Sequence, residues 1–454
     1  MLFSKKWGKM GPMYICLDLE TTGFDPVKDH PIEIGAVIFD ENGLYEEFHT
    51  MLDPGVPIPE AIVHITGIRQ KDVDGQPHFL EKMGPLKEFI GDHTIIGHNI
   101  QFDLGFLEAK GLPLDNKVFD TLTLCTTLFP KLPSYSLETV TSHLKINHHQ
   151  THRALDDAVI NAKLFQVLLK MIRELESGTM DQIETLLSGR GWNYEELFLG
   201  IEKDAKAVES TSVSKEKLTK FEGKQKEAYD TVLENLEENV TALGEMGINT
   251  GKYLASLKAA SDFASTSGSP VMISVAAPET EQKLITQANE VLGIGEEIGV
   301  IKRPQDYLSR KRLGEMIQRE NLTESEISFL IKILIWEGRT STGLQDELRF
   351  HGEEFRLWEE VNEPPMKGAE TANDNSDYYS QALERANGAK VFVVRHGWLA
   401  RELFKEKKRA ESTESADRPE GEATESARGP HASLLEKVSR LILLEADNIE
   451  KSFR

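Results

Sequence analysis

From residue 13 to about residue 175, short apolar runs alternate with segments of helical spacing. YICLDLET and IEIGAVIFD have the length and β-branched content of strands, and LYEEFHTML reads as a third. PHFLEKMGPLKEFI repeats its apolar residues at helical intervals, HTIIGHN is a short buried strand, and HRALDDAVINAKLFQVLLKMIREL is a long helix. Strands mixed with crossover helices predict a layered α/β domain over 13–175.

The pattern then weakens. A polar connector near ELESGT and a Ser-, Thr- and Lys-rich stretch, AVESTSVSKEKLTK, make 176–218 a helical and polar linker. Residues 219–404 resume mixed helix and strand character. Residues 405–433 hold no aromatic or branched aliphatic residue, so they can add nothing to a core and are expected to be disordered. Residues 434–454 recover an amphipathic pattern, and no internal repeat is visible.

Composition narrows the possible functions. A chain of 454 residues predicts two or three domains. The formal net charge of −23 excludes a generally basic surface for holding nucleic acid, so any such site must be local or metal-assisted. Only two cysteines occur, Cys16 and Cys125, which excludes a disulfide framework and a four-cysteine iron–sulfur cluster and points to a reducing, cytoplasmic setting. The N-terminus reaches acidic residues before any apolar run long enough for export. No segment approaches the ~18 uninterrupted apolar residues of a membrane helix.

The first domain also holds ten of the thirteen histidines and a set of acids. In LDLETTG, Asp18 and Glu20 stand two apart, so on a strand their carboxylates share one face and can share a divalent cation. Asp103 follows a short apolar strand in IIGHNIQFDLGFL, and HRALDDA supplies His152 with Asp157 five places on. Five helical residues turn through about 140°, so His152 belongs to the approach to the helix and Asp157 to its first turns.

Together, DLETTG, HNIQFD and HRALDD resemble the DEDDh family of 3′–5′ exonucleases, which includes the proofreading subunits of bacterial replicative polymerases. The resemblance spans 13 to about 172. It implies a ribonuclease H-like domain, a central mixed sheet flanked by helices with the acids at one edge. By the same resemblance Asp18, Glu20, Asp103 and Asp157 hold two divalent cations, Mg²⁺ or Mn²⁺, and Asp157 is selected over Asp156. His152 then takes the proton from the attacking water, for which a histidine is suited near neutral pH. Two such ions about 4 Å apart activate water and stabilise the leaving oxygen, and carboxylates are their natural ligands. Thr21, Thr22 and Gly23 become candidates for positioning the terminal nucleotide, with Asn99, Phe102 and His64 around the same pocket. His148 and His149 read as solvated bystanders.

A second motif, LGEMGINTGKYLAS, ends in Gly251 and Lys252 like a phosphate-cradling loop. Met246 occupies its first small position, however, and Tyr253 stands where a hydroxyl should bind Mg²⁺. The surrounding segments resemble the first motor lobe of DinG-type helicases, which implies a partial RecA-like α/β domain with helical insertions. Where DEAH is expected the chain reads Leu444, Glu445, Ala446, Asp447. With no second lobe after it, ATP hydrolysis is not expected, and Gly251 and Lys252 belong to a degenerate nucleotide site.

The expected function is a metal-dependent exonuclease that releases 5′-mononucleotides from the 3′ end of single-stranded DNA, joined to a pseudo-helicase module that positions DNA or a protein partner. The alternatives are an RNA-trimming exonuclease of the same family, since the 2′-hydroxyl is sensed by the pocket rather than the metals, and a binding scaffold that acts through the helicase-like region. No membrane partner is expected.

Overall fold

The computed structural model describes residues 12–147, 153–199, 221–240, 251–364, 377–414, 435 and 437–445. They fall into two compact units.

The first unit is built on a five-stranded mixed sheet of order β3-β2-β1-β4-β5. Central β1 (Tyr14–Thr21) runs antiparallel to β2 (Pro31–Phe39), which pairs in turn with β3 (Leu44–Met51). Helices α1 (Glu60–Thr66), α2 (Gln70–Val73) and α3 (Phe79–Ile90) lead to β4 (Thr94–Gly97), parallel to β1. Then α4 (Gln101–Ala109) leads to β5 (Val118–Asp120), parallel to β4. Helices α5 (Thr121–Leu128), α6 (Leu137–His143), α7 (Ala154–Arg173), α8 (Ser177–Leu187) and α9 (Glu195–Phe198) follow. β2 is buried along its whole length, which is why PIEIGAVIF is nearly continuous in apolar residues instead of alternating.

The two faces of β1 do different work. Ile15, Leu17 and Leu19 enter a core shared with Leu86 and Ile90 of α3 and Phe106 and Leu107 of α4. Tyr14, Cys16, Asp18 and Glu20 project from the opposite face, against α7. Tyr14 packs edge-on to Phe165 at 5.0 Å between ring centroids, Cys16 faces Asn161, and Asp18 meets Asp157. Each step is two residues along the strand and four back along the helix. Those steps are about 6.6 Å and about 6 Å, so strand and helix stay in register. One face of β1 thus passes from an aromatic core at Tyr14 to a cluster of acids at Glu20.

The chain continues through α10 (Gly223–Glu238), α11 (Lys252–Ser267), β6 (Val271–Val275), α12 (Pro278–Gln287), β7 (Ile298–Ile301) and α13 (Arg310–Ile317). After these come α14 (Glu324–Glu337), α15 (Glu354–Val361), α16 (Tyr378–Asn387), β8 (Val391–Arg395), α17 (His396–Glu414) and β9 (Arg440–Leu443). The second unit is a parallel four-stranded sheet, β7-β8-β6-β9. The VMISV run of β6 is wholly buried, as expected of a parallel strand covered on both faces. Its core joins Val271, Ile273, Val391 and Val393 to Leu257 and Phe263 of α11 and Leu284 of α12.

The division differs from the expected boundaries. Residues 317–340 and 347–357 belong to the first unit, although their sequence lies inside 219–404. They carry α14, which opens at a capping box between Thr323 and Glu326 and is buried from Phe329 to Trp336 without a break. A helix apolar on all sides needs cover all round, and α5 and α8 supply part of it. The buried Lys332 donates to Arg349 O at 2.7 Å and to both Glu354 oxygens, and Trp336 Nε1 donates to Glu347 Oε2 at 3.0 Å. The expected 176–218 linker is likewise folded as far as residue 199, with Trp192 and Phe198 buried. α17 extends to Glu414, so the segment expected to be disordered from 405 begins as helix; residues 415–434 lie outside the described ones. No helix among the described residues is long and apolar enough to cross a membrane.

Candidate active site

Asp18 and Glu20 of β1 and Asp157 in the first turn of α7 each offer a carboxylate oxygen, and these oxygens lie within 4.8 Å of one another. Asp103, on the first turn of α4 and 5% exposed, adjoins them: its Oδ1 accepts the Leu19 N–H at 2.9 Å. That bond fixes the Asp103 carboxylate between Asp18 and Glu20 along the strand. The four acids come from three elements: Asp18, Glu20 and Asp157 are brought within 4.8 Å of one another, and Asp103 lies beside that group, near enough to act on Asp18.

Such a cluster is electrostatically unfavourable without a cation. Burial, and then the carboxylates of Asp103, Glu20 and Asp157, push Asp18 well above the usual range. Burial and the charges of Asp157, Glu33 and Asp103 push Glu20 up to about 8, with Arg153 pulling it back in part. Asp103 is also raised, chiefly by burial, against the lowering effect of the Leu19 N–H. Clustered, desolvated carboxylates are the hard-oxygen donor set that Mg²⁺ or Mn²⁺ takes, so the residues fit the expected cations.

Around the acids, the ETTG turn is held by its own side chains. Thr21 Oγ1 donates to Gly23 O at 2.5 Å, and Thr22 Oγ1 accepts the His30 N–H at 3.0 Å. Both threonines are buried, so their side chains build the turn instead of lining an open surface. A Cβ on Gly23 would meet Asp29 Oδ2 at 2.3 Å, so the turn closes tightly there. What it presents outward is Phe24, 75% exposed and 6.4 Å from the half-buried ring of Phe102. Phe24 was missed in the sequence, where an aromatic after a glycine gives no signal of exposure.

Asn99 is exposed and left-handed at φ 65°, with its N–H donating to Asp120 Oδ1 at 2.9 Å. Its neighbour His98 donates from Nε2 to Tyr135 O at 2.7 Å, and its Nδ1 lies 3.0 Å from the Thr121 hydroxyl. Burial holds that imidazole below its ordinary pKa despite the Tyr135 bond, so it braces the loop as a neutral group. His64 is exposed in the last turn of α1, beside the exposed Ile65. His148, His149 and His152 lie outside the described residues.

Residues 15–165 match the Exonuclease family model. The chain carries an exonuclease domain. Over 165 residues, 36% of this chain, it is 38% identical to the PolC-type DNA polymerase III of Clostridium perfringens, covering 11% of that protein. Over 429 residues, 85% of this chain, it is 24% identical to the 3′-5′ exonuclease DinG of Staphylococcus aureus, covering 47% of it. The chain therefore spans about half the length, or less, of these curated relatives. Among solved structures, Exonuclease X in complex with 5′ overhanging duplex DNA matches at 23% identity and a TM-score of 0.31, over 35% of this chain and 92% of that one. Escherichia coli Exonuclease I with a dT13 oligonucleotide matches at 20% identity and a TM-score of 0.33, over 41% of this chain and 46% of that one.

Beyond residue 165, the stretch expected to be a degenerate nucleotide loop is described from Gly251 onward. Gly251 is left-handed at φ 72° and caps α11, whose first residue is Lys252. The Lys252 and Lys283 ammonium groups lie 5.4 and 5.0 Å from the Tyr253 ring centroid. Tyr253 Oη donates to Glu445 Oε1 at 2.9 Å, and the Thr280 hydroxyl donates to the same oxygen at 2.8 Å. Leu444 continues β9 through its N–H to Ser274 O at 2.9 Å and packs on the apolar core. Met246, Ala446 and Asp447 lie outside the described residues.

Proposed function

We propose that the exonuclease domain cleaves terminal nucleotides from the 3′ end of single-stranded DNA as 5′-mononucleotides, with two divalent cations. The gathering of Asp18, Glu20 and Asp157 carboxylate oxygens within 4.8 Å, with Asp103 alongside, carries this reading. Asp18, Glu20, Asp103 and Asp157 would hold the cations, which supply an activated water and charge neutralisation at the phosphate. His152, immediately before Arg153 in sequence, accepts the proton of that water. A new water-oxygen–phosphorus bond replaces the bond to the 3′ oxygen, which leaves protonated. Phe24 and Phe102 offer a face for stacking a base, with Asn99 and His64 as further contacts, and the backbone of Thr21–Gly23 frames the turn. The direction of cleavage follows the activity named for the Staphylococcus aureus relative.

In the second unit, Tyr253 and Leu444 occupy the two positions where nucleotide hydrolysis needs Mg²⁺ ligands, and both are tied into the fold. The unit is a pseudo-helicase platform that positions DNA or a protein partner and does not hydrolyse ATP.

The test follows product ladders from 5′-labelled single-stranded DNA and RNA with Mg²⁺, Mn²⁺ or EDTA, beside Asp18→Ala, together with phosphate release from ATP. Stepwise 3′ shortening that needs metal and Asp18, faster on DNA, supports the reading. Faster shortening of RNA moves the substrate to the alternative. Absence of cleavage with binding retained moves the function to the platform, and DNA-stimulated ATP hydrolysis refutes the pseudo-helicase.

A further inference from the structure

The strand beside the metal ligands carries a buried acid that the proposed chemistry does not use. Glu33 is 0% exposed on β2, directly opposite Glu20 in the antiparallel register. Leaving a carboxylate there beside four other acids is costly unless something specific holds it. Three groups do. Arg153 reaches it with Nε at 3.0 and 3.1 Å and with one terminal nitrogen at 2.7 Å, His49 Nε2 lies 2.6 Å from Oε1, and the Ala154 N–H donates to Oε2 at 3.1 Å.

Arg153 and Ala154 are the N-cap and first residue of α7, and the Asp157 N–H donates to Arg153 O at 2.9 Å. The turn that holds Asp157 is therefore closed on the residue that Glu33 grips. Two positions along β2, Gly35 lies opposite Asp18, and a Cβ built there would fall 2.1 Å from Leu155 N and 2.2 Å from Ala154 C. The helix backbone crosses the strand at that glycine as closely as two backbones can. Two of the points at which β2 touches α7 thus lie opposite the β1 acids. The contact also completes the strand–helix register of Tyr14 with Phe165, Cys16 with Asn161 and Asp18 with Asp157, whose next step pairs Glu20 with Arg153.

We propose that Glu33 is a positioning residue: by holding Arg153 and the Ala154 N–H while Gly35 admits the helix backbone, it sets α7 at the height that brings Asp157 to Asp18 and Glu20. This deepens the nuclease reading and rests on it for the activity readout, while cation binding is read independently. Through Arg153 the same grip fixes the chain at the residue next to the proposed base, His152.

The experiment compares the full chain with Glu33→Gln, Arg153→Gln and the double variant, which leaves no unpaired buried charge. Mn²⁺ binding is read from the paramagnetic resonance signal of the free ion, kcat and KM from labelled single-stranded DNA, and folding from the thermal melt. For the double variant the proposal expects a melt close to that of the parent, Mn²⁺ binding weaker by about 10- to 100-fold, and a fall in kcat with little change in KM. Parental Mn²⁺ affinity and kcat in a folded double variant would overturn it, since Glu33 would then only balance charge. If the double variant does not fold, Glu33→Asp decides. It keeps the charge but shortens the arm, and the same loss of Mn²⁺ affinity is expected. A parent that binds Mn²⁺ but releases no nucleotide, with binding lost in the variants, keeps the positioning role and discards the nuclease reading. A parent that binds no Mn²⁺ discards both.

Discussion

At the scale of single residues, the raised acids make opposing demands on stability and activity. Glu20 has a folded pKa of about 8 against an ordinary 4.5, so the cation-free native state binds protons more tightly than the unfolded chain. Stability contributed by that proton is present below about pH 4.5 and is lost as pH climbs through about 8. The metal-free protein should therefore melt at progressively lower temperature from pH 5 to pH 8, and Mg²⁺ should restore more at pH 8 than at pH 5. A scan showing no such pH dependence would place the acids in a different environment. Asp18→Asn should raise the cation-free melt by removing repulsion while lowering kcat by roughly a hundred- to thousandfold, the worth of several kcal/mol of metal stabilisation. Phe24→Ala tests the base-stacking face. About 1–3 kcal/mol per stacked base predicts a KM raised roughly 5- to 150-fold, with an unchanged melt because the ring is largely exposed. The acids were legible in the sequence because DLETTG, HNIQFD and HRALDD together resemble the motifs of one exonuclease family; the strand spacing of Asp18 and Glu20 alone would not have singled them out. Glu33 and Phe24 were not, because a single acid or aromatic shows its role only through what surrounds it.

At the scale of elements, periodicity gave β1 to β4 and the long helix at nearly their observed places, while β5, only three residues long, carries too short a pattern to be read. The register between β1 and α7 was out of reach, because it depends on matching rises of strand and helix and on the glycine that lets them touch. Gly35→Ala should cost about 1–3 kcal/mol or more, since its Cβ would meet main-chain atoms that have no rotamer to change. Denaturant melts of the two proteins would measure this, and equal midpoints would mean that α7 rides higher than described. The helix α14 illustrates the opposite failure. Its apolar run announces burial plainly, but sequence does not say which unit buries it.

For the whole molecule, a mixed sheet in the first domain and a partial RecA-like α/β second domain were the expectations the resemblances implied, whereas the boundary was not readable, because residues 317–340 and 347–357 leave their sequence neighbours to join the first unit. Gly338, whose Cβ would lie 2.5 Å from Thr179 Oγ1, and Arg349, whose N–H donates to Pro130 O at 2.7 Å, show how closely this segment is fitted. A chain ended after residue 199 keeps every proposed metal ligand but leaves the α14-facing surfaces of α5 and α8 bare. It should melt lower and bind a hydrophobic dye more strongly than the full chain; an equal melt would show that α14 adds nothing to the first unit. This discontinuity also sets an order of events during synthesis. The β1 acids leave the ribosome early, but the stretch that ends at Leu357 is complete only about 160 residues after α9, roughly 10–30 s later at ordinary elongation rates. A nascent chain therefore carries the proposed metal ligands for many seconds before the unit around them is complete, its last pieces supplied by a segment that holds none of those ligands.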